Sequence, residues 1–182
     1  MDHSQFHPGK VIKFCPRCGA AEFSMCDAKS FTCKPCGFVY YINPAPAVIA
    51  IILNNRGQVL MARRKHDPGA GMLDLPGGFV DMDETAEQAL IREVKEEVNL
   101  DIIAYRFIAT YPNRYYFKGL VYFTTDLAFI CSTEASGTVE ANDDVSSAEW
   151  LYINEINPDD IGLDSVRRVV MDIQAHKFDL TL

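Results

Sequence analysis

Gly78-Phe79-Val80-Asp81-Met82-Asp83-Glu84-Thr85-Ala86-Glu87-Gln88-Ala89-Leu90-Ile91-Arg92-Glu93-Val94-Lys95-Glu96-Glu97-Val98-Asn99-Leu100 is the stretch on which the reading of this 182-residue chain turns. Thr85 followed by Gln88 has the form of a capping box, so a helix is expected from about Thr85 to Val98. At about 100° per residue, Ala86, Leu90, Ile91, Val94 and Val98 cover one apolar arc, the expected buried face. Glu93, Glu96 and Glu97 fall on the adjoining arc, which gathers three carboxylates beside the core. Glu93 meets Glu97 at i,i+4 and Glu96 at i,i+3, and each like-charge pair costs roughly 0.2–0.5 kcal/mol even in water. A hard divalent cation, Mg2+ or Mn2+, reverses that sign and also bridges to phosphate oxygens. Taken alone, such a face is more often a solvated acidic surface, with Arg92 and Glu96 paired at i,i+4.

The stretch fits the pattern G-x5-E-x7-R-E-U-x-E-E-x-G-U, where U is apolar. Gly78, Glu84, Arg92, Glu93, Val94, Glu96, Glu97 and Leu100 occupy eight of its nine specified positions. Through them the chain resembles the Nudix hydrolase family. The likeness extends over roughly residues 45–177, through Leu60 to Arg64, Leu75-Pro76-Gly77 before the box and Trp150 in a late strand. It implies an α/β fold, a Nudix-type α/β/α sandwich with a mixed sheet. It also implies that Glu93, Glu96, Glu97 and the Gly78 carbonyl bind catalytic Mg2+ or Mn2+. Arg92 would orient the glutamates and Glu84 would join their network. Family members hydrolyse a nucleoside diphosphate linked to another moiety, by in-line attack of water on phosphorus with metal assistance. A box glutamate or a later acidic residue would be the general base. Glu140, Asp143, Asp144 and Glu149 are candidates, with a solvated acidic loop as the alternative for each. Asn99 stands where the family has glycine. That position calls for a left-handed backbone, which asparagine tolerates better than other side-chain-bearing residues.

Upstream, Cys15-Pro16-Arg17-Cys18 and Cys33-Lys34-Pro35-Cys36 are two C-x-x-C pairs 14 residues apart. Each pair can form a knuckle presenting two thiolates, and together they can close a tetrahedral Zn2+ site. Gly19 and Gly37, each following a second cysteine, allow the required turn. The expectation is a small zinc ribbon in residues 1–42, stabilised by Zn2+ because so few residues bury little surface. Reduced free thiols or a redox pair are the alternatives. Cys26 reads as an ordinary thiol and Cys131 as core. Residues 1–42 carry five basic and three acidic residues, so with four thiolates and one Zn2+ the ribbon is near neutral. It is no basic clamp for nucleic acid. Phe31, Phe38, Tyr40 and Tyr41 read as packing residues rather than base-stacking ones.

Asn43-Pro44-Ala45-Pro46 breaks regular structure, and residues 43–182 form the expected second domain. Strands are expected over Ala47–Leu53, Gln58–Arg64, Asp101–Thr110, Leu120–Cys131 and Ala148–Ile153. A last helix is expected over Asp164–Lys177, with Val166, Val169, Val170 and Ile173 on one face. Arg63 and Arg64 end a strand before the box. One of them at most is expected to clamp phosphate, because alternation points them to opposite faces.

A zinc ribbon directly before a Nudix domain resembles the NADH pyrophosphatases. Their motif after the box, close to SQPWPFP, is represented here only by Pro112 and the aromatic character of Tyr111, Tyr115, Tyr116 and Phe117. Tyr111 and its neighbours could stack on a base, with Arg114 near phosphate, or could simply pack a hairpin. The substrate class implied is a dinucleotide, ADP-ribose or a nucleotide sugar. NADH specifically is one alternative, and a non-catalytic nucleotide-sensing or docking module is another. Many Nudix proteins are dimers, so a homodimer also follows from the resemblance.

The chain has no long apolar run and no basic-apolar leader at its start, so a cytoplasmic protein without membrane attachment is expected. Its formal charge is −8 and its pI about 4.9. An acidic chain repels bare nucleic acid and anionic membranes. The box alone holds seven acidic and two basic residues. A small nucleotide-derived substrate is therefore expected to bind on positive charge borrowed from divalent metal.

Overall fold

The computed structural model describes residues 4–134 and 137–182. Residues 1–3, at the head of the expected ribbon, lie outside the described residues. The backbone divides into two compact units. One comprises Met1–Pro44 with Arg114–Phe123, the other Ala45–Asn113 with Thr124–Leu182.

The first unit has a 3-10 turn (Ser4–Phe6) and a short helix, α1 (Pro8–Val11), followed by β1 (Phe23–Met25), β2 (Ser30–Cys33) and β3 (Val39–Tyr41). These strands form one antiparallel sheet in the order β1-β2-β3, with Phe23 opposite Cys33 and Phe31 opposite Tyr40. Its core is small: Cys15, Phe23, Phe31 and Cys33 are buried, and the Phe23 and Phe31 rings stack at 4.9 Å. Tyr40 and Tyr41 are exposed. Tyr116 packs on Phe6 at 4.6 Å between ring centres, and Phe123 on His7 at 5.5 Å. Phe23, Phe31, Tyr116 and Phe123 are packed, whereas Tyr40 and Tyr41, expected to pack, stand exposed on β3.

The second unit contains β4 (Ala45–Ile52), β5 (Gln58–Arg64), β6 (Leu73–Asp74), α2 (Ala86–Val98) and the larger parts of β7 (Ile102–Phe117) and β8 (Leu120–Thr133). β9 (Val145–Tyr152) and α3 (Asp164–Gln174) complete it. One sheet has the order β4-β8-β7, with β4 parallel to β8; the other is antiparallel, β6-β5-β9. The run Val48 to Ile52 is continuously buried because both faces are covered. Val48, Ala50 and Ile52 pack with Leu60, Phe129 and the α2 residues Ala89, Leu90, Val94 and Val98. Ile49 and Ile51 pack on the other side with Met61, Ala128 and the α3 residues Val166, Val169, Val170 and Ile173. This is the α/β/α sandwich with mixed strands that the sequence implied. Cys131 lies fully buried in the α2-side core, and burial pushes its thiol up to about 12.

Several expectations shift. β4 starts at Ala45 and runs through Pro46, whose carbonyl accepts from the Val80 N–H at 3.1 Å. β7 continues past Thr110 through Pro112 to Phe117. Both strands lie at the edge of their sheet, where a missing proline N–H is tolerated. Ile91 is exposed, and Ala89 and Glu97 take places in the buried arc of α2. Among the described residues no helix is long and apolar enough to cross a membrane.

Candidate functional site

Local sequence sets the ends of α2. The Gln88 N–H donates to Thr85 Oγ1 at 3.2 Å and the Thr85 N–H to Gln88 Oε1 at 2.8 Å, closing the capping box. Asn99 adopts φ 56° and ψ 28°, the left-handed cap expected there, and its N–H donates to the Lys95 carbonyl at 3.1 Å.

The segment before the helix lies along the outer edge of β4. The Ala50 N–H donates to the Pro76 carbonyl and the Val48 N–H to the Gly78 carbonyl, each at 2.8 Å. A Cβ at Gly77 would collide with the Val48 carbonyl, and one at Gly78 with the Glu93 carboxylate. The two glycines thus let the backbone sit against both β4 and Glu93. The Gly78 oxygen spends one lone pair on Val48 and keeps the other.

Arg92 organises the acidic residues around it. Its Nε and Nη2 donate to the two oxygens of Glu84 at 2.9 and 2.8 Å, a bidentate pair. Nη1 donates to Glu93 Oε1 at 2.8 Å and to Glu96 Oε2 at 3.1 Å, and Nη2 also reaches the Phe79 carbonyl at 3.0 Å. The Arg92 guanidinium, helped by the Asp81 N–H, holds the Glu84 carboxyl below its usual range.

Glu97 departs from the expected adjoining arc. It lies within the apolar stripe and is 9% exposed, because at about 100° per residue it falls between Ala86 and Leu90. Its Oε2 accepts from the Gly77 N–H at 2.9 Å. Burial nevertheless pushes its carboxyl up to about 8, and the charges of Asp74, Glu93 and Asp144 add to that. Burial also raises Glu93, against the pull of Arg92, with Glu96 and Asp143 contributing. Glu96 is exposed. These glutamates form a looser group than the cysteines. Among the described residues, only Cys15, Cys18, Cys33 and Cys36 have ligand atoms all within 4.8 Å of one another.

In the first unit, Cys15 Sγ lies 3.8 Å from Cys36 Sγ, and Cys18 Sγ 3.6 Å from Cys33 Sγ. A tetrahedron with Zn–S arms of ~2.3 Å has edges of about 3.8 Å, so the spacing matches a four-thiolate Zn2+ site. The expected knuckle turns are present. Gly19 and Gly37 have φ of 73° and 69°, and each donates its N–H to the first cysteine of its pair at 2.9 Å.

The remaining sequence candidates fall in different places. Arg63 pairs with Glu149 at 3.0 Å and donates to the Gly71 carbonyl at 3.2 Å. Arg64 is drawn inward onto Asp74 and the Pro68 carbonyl. Tyr111 is buried in the α3-side core, and its hydroxyl donates to Asp172 Oδ2 at 2.9 Å, away from the α2 carboxylates. Arg114 is exposed and belongs to the first unit. The loop after β8 is tied to α2: Asn142 N–H donates to the Glu97 carbonyl at 2.9 Å and Glu140 N–H to the Val98 carbonyl at 3.2 Å. Of the four acids expected on a late loop, Asp143 acts electrostatically on Glu93 and Asp144 on Glu97, whereas Glu149 lies on strand β9 and is committed to Arg63. Sequence reasoning passed over Asp74, which is buried between two leucines. Its only signal was a charged residue at an otherwise apolar position.

Comparison with known proteins matches residues 43–171 to the NUDIX domain family. The chain is similar to the NAD-capped RNA hydrolase NudC of Vibrio atlanticus, 25% identical over 167 residues, covering 91% of this chain and 58% of that protein. It is also similar to the ADP-ribose pyrophosphatase of Methanocaldococcus jannaschii, 36% identical over 118 residues, covering 64% of this chain and 66% of that protein. The chain thus spans from about half to two thirds of the length of the curated relatives it matches. In fold it resembles the NUDIX hydrolase from Nitrosomonas europaea, with a TM-score of 0.66 at 22% identity over 90% of this chain and 93% of that one.

Proposed function

This chain belongs to the Nudix family, and on that premise we propose that it is a divalent-metal-dependent pyrophosphohydrolase. Its proposed substrates carry a nucleoside diphosphate linked to a second moiety, as in ADP-ribose or a dinucleotide such as NADH. The carrying observation is the arrangement on α2, where Arg92 grips Glu84, Glu93 and Glu96 at once and Glu97 is buried on the Gly77 N–H.

The donor set fits a hard cation. Glu93 and Glu97 are raised carboxyls near further acids, a grouping that gains from added positive charge. Glu93, Glu96, Glu97 and the free lone pair of Gly78 would hold Mg2+ or Mn2+. Such an ion supplies Lewis-acid charge for the phosphates and acidifies water at neutral pH. The protein's own share is positioning. Arg92 keeps two glutamates from turning away into solvent, and the Gly77 N–H fixes the third. Asp143 or Asp144, or a box glutamate, takes the proton of the attacking water, and the two products leave as monophosphates. In the ribbon, Cys15, Cys18, Cys33 and Cys36 would hold structural Zn2+.

A second reading, the NAD cap of an RNA, is supported by the name of the Vibrio relative. The near-neutral ribbon and the acidic whole favour the small nucleotide. A purely nucleotide-sensing module would not need Arg92, Glu93, Glu96 and Glu97 together. The test is a product-scored screen with Mg2+ over ADP-ribose, NADH, NAD, nucleotide sugars, dinucleoside polyphosphates and nucleoside triphosphates. ADP-ribose or NADH should yield AMP. Micromolar nucleotide binding without turnover of any compound would favour the sensing module.

A further inference from the structure

Asn113, Thr124 and Asp126 are more than nine-tenths buried, yet nothing in the catalytic account uses them. Among the described residues, Thr124 Oγ1 and Asp126 Oδ1 have no hydrogen-bond partner. Buried polar atoms are normally satisfied, so two orphans on one strand call for an explanation. They are two residues apart on β8, and Ala128 continues the same face. Ala128 packs in the α3-side core with Tyr111. Asn113 stands two residues from Tyr111 on the neighbouring strand β7 and shares its face. A hydroxyl, a carboxylate and a carboxamide thus line one patch of the sheet.

Asp126 lies opposite Ala47 of β4, and Ala47 in turn bridges to Phe79, next to Gly78 of the box. Asp126 acts electrostatically on Asp74, and Asp74 acts on Glu97.

The chemistry of the three groups narrows the ligand. Asp126 Oδ1 is an oxygen without a donor, so it calls for an N–H. The Thr124 hydroxyl and the Asn113 amide can each donate or accept. A heterocycle edge that pairs an exocyclic amine with a ring-nitrogen acceptor, the amino edge of adenine, complements that set. We infer that Asn113, Thr124 and Asp126 form a base-reading subsite that recognises the adenine amine of the substrate. The inference rests on the proposed hydrolysis of adenine-containing diphosphates and adds to it the residues that choose the base.

The test compares ADP-ribose with inosine diphosphate ribose, in which a carbonyl replaces the amine, on wild type, Asp126→Asn and Thr124→Val. Wild type should favour ADP-ribose by up to about 100-fold in kcat/KM, the scale of a buried acceptor left unsatisfied. Asp126→Asn should reduce that ratio to below about threefold, because a carboxamide can face either base. It should do so through KM for ADP-ribose with kcat nearly kept. Thr124→Val, nearly isosteric, should lower the ratio by a smaller factor. A wild-type ratio near one, or an Asp126→Asn change that lowers kcat equally for both substrates, overturns the subsite. If no protein hydrolyses either compound, the pyrophosphohydrolase reading fails by itself. Calorimetry of AMP against IMP on wild type then decides the subsite. Tighter AMP binding by about tenfold or more upholds it, and equal binding overturns it.

Discussion

The cysteine cluster and the glutamate helix are both built to meet a cation, but they differ in what stands without one. Around the cysteines the buried apolar cluster is Cys15, Phe23, Phe31 and Cys33, and two of those are themselves candidate ligands. The unit that carries α2 has two large clusters, one of them packed on α2, and the carboxylates are already held by Arg92 and the Gly77 N–H. The first site would use its metal to fold, and the second would use its metal to react. A thin core leaves the four thiolates as the structural centre, whereas a thick core can hold a repulsive acidic group in place for a ligand.

Chelating zinc from the reduced protein should therefore have the largest effect. It should remove on the order of 10 kcal/mol of metal-linked stability from the ribbon. Hydrogen exchange should show lost protection in Phe23–Met25 and Ser30–Cys33, with Ala45–Ile52 and Ala86–Val98 unchanged. Equal loss in both regions would break the comparison. Next, Glu96→Gln should lower Mg2+-dependent kcat by about 10²–10³-fold, as expected for several kcal/mol of lost transition-state charge stabilisation. Its melting temperature should stay within a degree or two of wild type, because Glu96 is exposed.

Acidity sharpens the contrast further. The Glu97 carboxyl, raised to about 8 in the metal-free protein, holds its proton more tightly folded than unfolded. Stability of that form should fall as pH rises from ~4.3 towards 8, the direction set by a raised acid. Mg2+ must displace the same proton, so its affinity should climb by up to about tenfold per pH unit below 8 and level off above. Calorimetric Mg2+ titrations across pH 6 to 9 check this, and a flat profile would contradict it. The smallest effect belongs to Asn99→Gly. Its left-handed backbone should be relieved by glycine, raising stability by about 0.5 kcal/mol in denaturant titration with activity unchanged.

What the sequence made legible was short-range. The capping box at Thr85, the left-handed Asn99, the knuckle glycines and the apolar face of α3 all follow from neighbours within a few residues, and each stands as expected. Glu97 lies inside the apolar arc rather than on the adjoining one, because at about 100° per residue it falls between Ala86 and Leu90. The Gly77 N–H that helps to hold it comes from twenty residues away. Tyr111 read as a stacking candidate because its partner, Asp172, lies sixty-one positions on. The Arg64–Asp74 ion pair and the Thr124–Asp126 patch depend likewise on how strands meet in the sheets, which no local pattern encodes. The chemistry-bearing helix was readable in advance, while the residues around it that would choose a substrate were not.

Anomalous scattering from Mn2+-soaked crystals, collected at the manganese and zinc edges, tests the two-metal account most directly. The account predicts a zinc peak enclosed by Cys15, Cys18, Cys33 and Cys36 that survives the soak. It also predicts manganese held by Glu93, Glu96 and Glu97. Manganese absent from α2, or a cysteine cluster empty of zinc in protein purified under reducing conditions, would contradict it.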